Sequence, residues 1–350
     1  MTGLHFHPLR VRELRAEADD ALVVSFEVPE AEAPRFQFEA GQYLTLKHGD
    51  LRRSYSICAA PGETLRVGVR RVPGGAFSSW LHESLKPGDT LEVMPPQGRF
   101  GAALAQRPRH VLAVAGGSGI TPILSILKTA LLSDPTCRCT LLYGNRRAAS
   151  TMFKEELEDL KNRFLTRLVL HPVFSREVMD SPLNAGRLDG DKLATLLRLV
   201  GAVDEAFVCG PHAMNDEAEA ALLAAGIAPD HIHVERFGIP PTEADATLHA
   251  AQAGDATTAV VTVVRDGLSR DVAFQPSDES ILAAAGRAGL DVPYSCRSGV
   301  CATCRAKLLE GRVRMDRNFA LDKADVDAGF VLTCQAHPLT ERVVVSFDER

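Results

Sequence analysis

The sequence predicts a multidomain chain in which an antiparallel β-barrel is followed by an α/β domain with a parallel sheet and then by a small α+β domain. Three observations lead to this fold class. Short alternating apolar runs broken by Gly and Pro fill residues 1–100, a pattern typical of a small barrel. From His110 onward, apolar strands alternate with helical segments, as in a parallel sheet covered by helices. Residues 259–274 hold two strand-like runs around Asp266-Gly267, the short-range signal of a β-hairpin.

The domain boundaries are predicted where these patterns change. We expect the barrel at residues 1–103, the α/β domain at 104–238, a linker rich in Ala, Gly and Pro at 239–257, and the α+β domain at 258–350. Strands are predicted in the first two domains at residues 22–28, 43–48, 54–58, 65–72, 90–94, 111–115, 140–143, 168–174 and 206–209. Helices are predicted at residues 123–132, 153–163, 214–225 and 280–289.

Composition argues against two classes of partner. The formal net charge is -6 over 350 residues, so there is no excess of basic residues for nucleic acid. No run of about eighteen apolar residues occurs, so we expect no membrane span. Residues 1–30 contain no basic start followed by a long apolar run, so we expect a cytoplasmic protein.

Four cysteines near the C-terminus have the spacing C-x4-C-x2-C, followed after a longer interval by a fourth Cys. They are Cys296, Cys301, Cys304 and Cys334. This is the plant-type arrangement for a 2Fe-2S cluster. Small residues in the first loop let backbone N–H groups point at sulfur, and the apolar run before the last Cys indicates a core strand. The alternative is a zinc site, which more often uses two separated C-x2-C pairs, whereas one such pair occurs here. We expect a β-grasp-like domain around the cluster.

A motif in the predicted barrel points to a flavin. In Arg53-Ser54-Tyr55-Ser56, an Arg can pair with a pyrophosphate, a Tyr can stack on the flavin ring, and a Ser hydroxyl can hydrogen-bond beside the reactive nitrogen. Alternating Arg and Tyr is also an ordinary strand pattern. The segment resembles the R-x-Y-S motif of the ferredoxin–NADP reductase superfamily. That resemblance implies that Arg53, Tyr55 and Ser56 bind flavin.

The same resemblance implies a second contact for the flavin pyrophosphate. Residues 74–78 begin a helix-like stretch, and in this superfamily a helix N-terminus and a Ser receive the pyrophosphate at that point. The second phosphate contact favours FAD over FMN. The residues assigned to it are Gly75, Ala76, Phe77 and Ser78.

A glycine-rich loop follows the first strand of the α/β domain. Gly117 and Gly119 let backbone N–H groups approach a pyrophosphate, and Thr121 is expected to cap the next helix. Pro122 stands where the G-x-G-x-x-G fingerprint has its third Gly, so this is a different loop. It resembles the G-G-x-G-x-T-P loop of ferredoxin reductases, which binds the nicotinamide dinucleotide.

Cys209-Gly210-Pro211 ends the last predicted strand of this domain. A buried core Cys is one interpretation. The segment also resembles the C-G-P motif of the reductases, which places the thiol of Cys209 beside the nicotinamide at hydride transfer and Gly210 in the cofactor site. His212 departs from that family, in which an acid is frequent. Phe237 is a further cofactor candidate, and the expected catalytic centre consists of Tyr55, Ser56 and Cys209.

The cofactor is expected to be NADPH. An NAD-type site uses an acid at the end of the second strand, where this chain has Asn145-Arg146. The next strand ends in Ser175-Arg176-Glu177, which resembles the S-R-E element that contacts the 2′-phosphate in NADP-using reductases, and Arg187 follows. We therefore assign Arg146, Ser175, Arg176 and Arg187 to the nucleotide site.

The order of flavin barrel, nucleotide domain and ferredoxin domain resembles the reductase components of oxygenases. Residues 143–146, 235–237, 315–321 and 332–339 most resemble the reductases of phenylacetyl-CoA epoxidases. The resemblance implies electron flow from NADPH to FAD, then to the 2Fe-2S cluster and on to an oxygenase partner. A Rieske or different di-iron oxygenase remains an alternative acceptor, and a non-enzymatic iron–sulfur sensor is a third hypothesis. His231 and His233 suggest a metal, although ordinary strand residues are the simpler interpretation.

Overall fold

The computed structural model describes residues 4–238, 249–256 and 258–349. The chain divides into two compact units, Phe6–Phe237 and Met1–His5 with Gly238–Arg350. Most of the predicted linker, residues 239–248 and 257, lies outside the described residues, whereas 249–256 belong to the second unit. The predicted fold class is confirmed, because an antiparallel sheet, a parallel sheet with helices and an α+β domain follow one another.

The first sheet of the larger unit is antiparallel, with strand order β4-β3-β6-β1-β2-β5. A bridge between Ile57, just after β4, and Val67 in β5 joins its two edges into a barrel. The elements of this part are β1 His7–Ala18, β2 Ala21–Glu27, β3 Tyr43–His48, β4 Leu51–Ser56, β5 Arg66–Arg70, α1 Ala76–Ser84 and β6 Thr90–Gln97. Sequence patterning did not predict β1, because its register against β2 shifts between Val11 and Glu13 and again near Ala16, which interrupts the alternation of buried and exposed residues.

The second sheet is parallel, with strand order β11-β10-β7-β8-β9. Its elements are β7 His110–Gly116, α2 Ile120–Ser133, β8 Arg138–Asn145, α3 Lys154–Arg163, β9 Leu168–Phe174, α4 Gly190–Val200, β10 Glu205–Cys209, α5 His212–Ala224 and β11 Ile232–Glu235. One apolar core forms beneath α2 and α3, and another beneath α4 and α5. Helix α4 was not predicted; the Asp189 side chain caps it by accepting from the Lys192 N–H at 3.1 Å. All five strands end at one edge, where ligands bind in open α/β sheets.

Hydrogen bonds and ion pairs join the two sheets of this unit. The Ser125 hydroxyl on α2 donates to the Ala59 carbonyl at 2.6 Å, and both groups are buried. Glu156 on α3 accepts from Arg66 of β5 at 2.5 Å and from Lys128 of α2 at 2.9 Å. Because partly buried ion pairs with several donors hold their geometry better than exposed pairs, these contacts fix the nucleotide domain against the barrel.

The smaller unit has a mixed sheet in the order β13-β12-β18-β14-β16, packed against α6. Its elements are β12 Ala259–Arg265, β13 Leu268–Phe274, α6 Ile281–Arg287, β14 Arg305–Glu310, β15 Val313–Met315, α7 Lys323–Asp327, β16 Phe330–Leu332, β17 Ala336–Pro338 and β18 Arg342–Ser346. The predicted hairpin is confirmed: Asp266 and Gly267 both have positive φ, 54° and 74°, as a tight β12–β13 turn requires. Among the described residues, no helix is both long and apolar enough to cross a membrane.

Candidate active site and iron–sulfur site

Strand β4 presents the candidate flavin residues at its end. Arg53 is exposed and Tyr55 is half-buried, and the two share a face because strand side chains alternate. The Tyr55 ring lies 6.0 Å from that of Phe77 on α1, measured between centroids. Burial raises the pKa of Tyr55, so its phenol stays neutral. This face offers a cation and an aromatic surface, the two features expected of a site for a flavin and its pyrophosphate.

The start of α1 is the predicted second contact for the flavin pyrophosphate, and the Ser78 hydroxyl forms hydrogen bonds within this loop. Ser78 is buried, and its hydroxyl accepts from the Val72 N–H at 3.1 Å and donates to the Gly75 carbonyl at 3.3 Å. A Cβ on Gly75 would lie 2.8 Å from the Ser78 oxygen, so the loop needs glycine there. The hydroxyl is therefore used within the loop. The first-turn N–H groups of Ala76 and Phe77 are the groups suited to an anion.

Two loops meet closely at the carboxyl edge of the parallel sheet. A Cβ on Gly119 would lie 2.0 Å from the Cys209 carbonyl oxygen, and one on Gly116 would lie 2.6 Å from Pro211 Cδ. Gly210 also lies against the Gly116 backbone, since its Cβ would come within 3.0 Å of the Gly116 nitrogen. Glycine at these positions lets the two loops come together at the end of the sheet.

The expected helix cap at Thr121 is wrong. The turn at Gly117–Gly119 runs directly into α2, so the helix begins at Ile120 and Gly119 is its N-cap residue. Thr121 lies one residue inside the helix, and its hydroxyl donates back to the Ser118 carbonyl at 3.0 Å. Its methyl group lies against β5, because a Cβ on Gly68 would come within 2.7 Å of it. The side chain of Thr121 thus packs between the sheets.

Ser56 meets an acidic residue that sequence reasoning did not assign to the site. The Ser56 hydroxyl donates to Glu235 Oε2 at 3.2 Å, and Glu235 at the end of β11 is paired in register with Cys209 at the end of β10. Burial raises the pKa of Glu235 to about 8, and the bond from Ser56 offsets part of that rise. Burial also raises the pKa of the Cys209 thiol, with the charge of Glu235 as a second cause. The structure therefore brings Ser56 of the antiparallel sheet close to the ends of β10 and β11 in the parallel sheet, where Cys209 and Glu235 lie. The raised pKa values keep both of these side chains neutral.

Arg236 holds the end of β11 against α5. Its guanidinium lies 2.7 Å from the Asp216 carboxylate and donates to Nδ1 of His212 at 2.9 Å. His212 therefore contributes to fixing this strand. Phe237 follows with 45% of its surface exposed. It lies at the end of the strand that carries Glu235.

The predicted 2′-phosphate residues lie together at the ends of β8 and β9. Ser175 and Arg176 donate their backbone N–H groups to the carbonyls of Asn145 and Arg146, at 3.0 and 2.9 Å. The side chains of Arg146, Arg176 and Arg187 are exposed, and none forms an ion pair with a described residue. These cations are thus available to a phosphate group.

The four cysteines approach one another in the smaller unit. Cys296 and Cys301 are half-buried, whereas Cys304 and Cys334 are buried. The Ser298 N–H donates to Cys296 Sγ at 3.4 Å. Hydrogen bonding from Cys301, and then from backbone N–H groups, lowers the pKa of Cys296 to about 5. Hydrogen bonding between thiols and burial raise the pKa values of Cys301 and Cys304. Four cysteine sulfurs brought together, with an N–H donor beside one of them, form the donor set that a 2Fe-2S cluster requires.

The two histidines considered as metal ligands pair with a carboxylate instead. His231 Nδ1 and His233 Nε2 lie 2.8 and 2.7 Å from different oxygens of Glu205. The Glu205 side chain is only 4% exposed, so a buried carboxylate needs these partners. The observed contacts give the two histidines a structural role.

Three domain families match this chain. The oxidoreductase FAD-binding domain matches residues 8–101, the oxidoreductase NAD-binding domain matches residues 113–220, and the 2Fe-2S iron–sulfur cluster binding domain matches residues 263–339. The third match contains all four cysteines. The chain therefore carries domains for FAD, a pyridine nucleotide and a 2Fe-2S cluster.

Relatives of known function span the whole length. The chain is 46% identical to a subunit of the 1,2-phenylacetyl-CoA epoxidase of Escherichia coli (strain K12), over 99% of this chain and 98% of that protein. It is 33% identical to the 3-ketosteroid-9-alpha-monooxygenase, ferredoxin reductase component, of Rhodococcus rhodochrous, over 97% and 96%. The solved structure of phthalate dioxygenase reductase superposes with a TM-score of 0.63 and 25% identity, covering 97% of this chain and 98% of that one.

Glu235→Gln should change how stability depends on pH. The pKa of Glu235 is near 4.5 in the unfolded chain and near 8 in the folded protein. Between these two pH values, the Glu235 carboxyl is ionised in the unfolded chain and protonated in the folded protein. Stability conferred by Glu235 is therefore complete below the unfolded pKa and is lost as pH rises through the folded pKa. The variant should match the wild type at about pH 5 and exceed it at about pH 9 by on the order of a few kcal/mol.

Thermal unfolding at the two pH values measures this difference. Glu158→Gln is the matched control, because Glu158 is exposed on α3. A stability difference that stays constant with pH, or one that the control reproduces, would show that the pKa of the Glu235 carboxyl is not raised in the folded protein.

Proposed function

Because this chain belongs to the family of FAD- and 2Fe-2S-containing reductases that serve oxygenases, we propose that it is the NADPH-dependent reductase of an oxygenase that epoxidises phenylacetyl-CoA. The observation that carries this proposal is the 46% identity with the Escherichia coli epoxidase protein, which spans 99% of this chain and so all three domains. The relatives are electron-transfer reductases, so the hypothesis of a non-enzymatic iron–sulfur sensor has no support.

The chain has residues whose chemistry fits each bound group. When bound, FAD accepts a hydride from NADPH, and the 2Fe-2S cluster delivers electrons one at a time. Arg53 and the first turn of α1 suit the flavin pyrophosphate, and the Tyr55 ring suits the flavin face. The four cysteines, with N–H donors beside them, suit the cluster.

We assign to the ends of β10 and β11 the task of preparing the site of hydride transfer. Cys209 is fully buried and its thiol stays protonated, so it fills space without adding charge where the nicotinamide is expected. Glu235 holds its proton up to about pH 8 and fixes the hydroxyl of Ser56. A neutral, water-excluding site of this kind keeps the transferred hydride away from solvent.

Preference for NADPH rests on the exposed arginines at the ends of β8 and β9. Arg146 and Arg176 extend from backbone segments that are hydrogen-bonded to each other. This bond keeps the two residues close together at the ends of β8 and β9. A 2′-phosphate carries more charge than a hydroxyl and gains more from such cations. Arg187 lies further along the chain and is also exposed.

A different oxygenase is the second candidate for the acceptor. The 33% identity with a reductase of 3-ketosteroid-9-alpha-monooxygenase and the shared fold with phthalate dioxygenase reductase favour it, because the same domain order serves several oxygenases. The cluster, flavin and nucleotide residues would act alike in both cases. Only the surface that meets the oxygenase would differ.

Arg176→Ala should lower kcat/KM for NADPH by roughly ten- to a hundredfold, the effect of losing a charge-assisted contact of about 1.5–3 kcal/mol. Turnover with NADH should hardly change, since NADH has no 2′-phosphate. Arg198→Ala, at an exposed position on α4, is the control. Steady-state kinetics with ferricyanide as acceptor measures both cofactors. Equal losses with NADPH and NADH would assign Arg176 a structural role instead.

Arg297→Glu should slow electron delivery to the oxygenase severalfold while NADPH–ferricyanide turnover persists. Arg297 is exposed in the cysteine loop with its guanidinium 4.5 Å from the Tyr294 ring, so it can meet an acidic partner surface. Arg270→Glu on β13, at the opposite edge of the sheet from β16, is the matched control.

Reconstitution with a phenylacetyl-CoA epoxidase core provides the assay, with NADPH-dependent oxygenation of phenylacetyl-CoA as the readout. Full activity with the wild type and loss with Arg297→Glu alone supports the proposal. If the wild type drives only another oxygenase, the acceptor is the second candidate. Similar losses in both variants would mean that net charge, and not this loop, governs docking.

A further inference from the structure

Gln335 follows the fourth cysteine and is fully buried. Its side-chain nitrogen donates to the carbonyl of Arg297 at 3.0 Å, in the loop that carries the other three cysteines. The same nitrogen lies 3.0 Å from the Cys334 carbonyl and 3.8 Å from Cys334 Sγ. One amide group therefore ties the two cysteine-bearing segments together and faces a sulfur.

The orientation of this amide follows from its partners. Two carbonyl oxygens at 3.0 Å require the nitrogen on that side, because an amide oxygen there would meet two other acceptors. The Gln335 Oε1 atom is buried without a hydrogen-bond partner among the described residues. A buried acceptor without a partner is unfavourable. Another interaction of the Gln335 side chain must therefore offset the free-energy cost of burying this oxygen.

The loop that Gln335 holds adopts an uncommon backbone conformation. Arg297 has φ of 57°, in the left-handed region that residues with a side chain rarely occupy. The hydrogen bond from Gln335 holds the Arg297 carbonyl in that conformation. A Cβ on Gly299 would lie 3.2 Å from Gln335 Cγ, so the loop also closes tightly over the glutamine.

The backbone of Gln335 is held by a second contact, with Asp316. Its carbonyl accepts from the Asp316 N–H at 2.9 Å. The Asp316 carboxylate is 1% exposed and lies 2.8 Å from both His249 Nδ1 and His337 Nε2, with Arg314 on its other oxygen. His249, Asp316 and His337 are of metal-ligating types, but their distances are hydrogen-bond lengths and the Arg314 guanidinium neutralises the acid. The group serves as a hydrogen-bonded support.

We infer that Gln335 is a positioning residue that also raises the reduction potential of the cluster. The two N–H groups of the amide donate to the Arg297 and Cys334 carbonyls, so Cys334 Sγ at 3.8 Å shares one of them. The positive end of the amide dipole beside the sulfur stabilises the more negative, reduced cluster. Cys334 is buried, so water is poorly placed to supply this donor, whereas Cys296 has the Ser298 N–H. The inference rests on the proposed function, in which the four cysteines hold a 2Fe-2S cluster that accepts electrons from the flavin.

The experiment is a redox titration of the intact holoprotein, followed by the EPR signal of the reduced cluster. Gln335→Met keeps an unbranched side chain of similar length and removes both N–H donors. We expect the equilibrium constant for cluster reduction to fall about tenfold, which corresponds to about 59 mV toward lower potential for one electron. Gln275→Met, at an exposed position of the same unit, should leave the potential unchanged.

A second measurement detects the Gln335 amide beside the cluster directly, in the wild-type protein. Protein labelled with ¹⁵N in glutamine side chains should show a ¹⁵N coupling to the reduced cluster in pulsed EPR, and Gln335→Met should abolish it. An unchanged potential with the cluster intact, a control that shifts equally, or a missing coupling in the wild type would each overturn the inference. A wild-type protein without any 2Fe-2S signal would instead contradict the proposed function.

Discussion

The hydrogen bond from Ser56 to Glu235 is the contact on which the arrangement of the candidate active site depends. It joins the end of a barrel strand to the end of a strand in the parallel sheet, 3.2 Å apart. Hydride transfer requires the donor and acceptor rings to be held near contact distance. The cofactor-binding faces therefore have to be fixed with respect to each other within one body. The bonds from Ser125 and from the Arg66–Glu156–Lys128 ion pairs provide that rigidity.

The smaller unit imposes a different constraint, because four cysteines that hold a negatively charged cluster need hydrogen-bond donors around their sulfurs. The Ser298 N–H donates to Cys296 Sγ, and the Gln335 side-chain nitrogen lies 3.8 Å from Cys334 Sγ. The loop reaches these positions through left-handed residues, Arg297 and Ala302, which need support from the surrounding structure. For Arg297 that support comes through Gln335, whose carbonyl accepts from the Asp316 N–H and whose side chain donates to the Arg297 carbonyl.

Local patterns in the sequence predicted most of the fold. The Asp266-Gly267 turn and the cysteine spacing are short-range signals. Helices α2, α3 and α5 were predicted because their apolar residues recur at helical spacing. Strand β1 escaped prediction because its bulges interrupt the alternation. The cap expected at Thr121 was wrong because a preceding turn starts the helix earlier. Glu235 was not assigned to the site because its partner Ser56 lies 179 positions away in the chain, a pairing that no local pattern reveals.

The central claim is that electrons pass through this one chain from the nicotinamide cofactor to the flavin and then to the cluster. Anaerobic mixing with a limiting amount of NADPH, followed by both flavin absorbance and rapid-freeze EPR, tests it directly. The account predicts that flavin absorbance falls first and that the signal of a reduced 2Fe-2S cluster then rises in the same molecules. A cluster that stays oxidised after the flavin is reduced, or one that is reduced before it, would contradict the account.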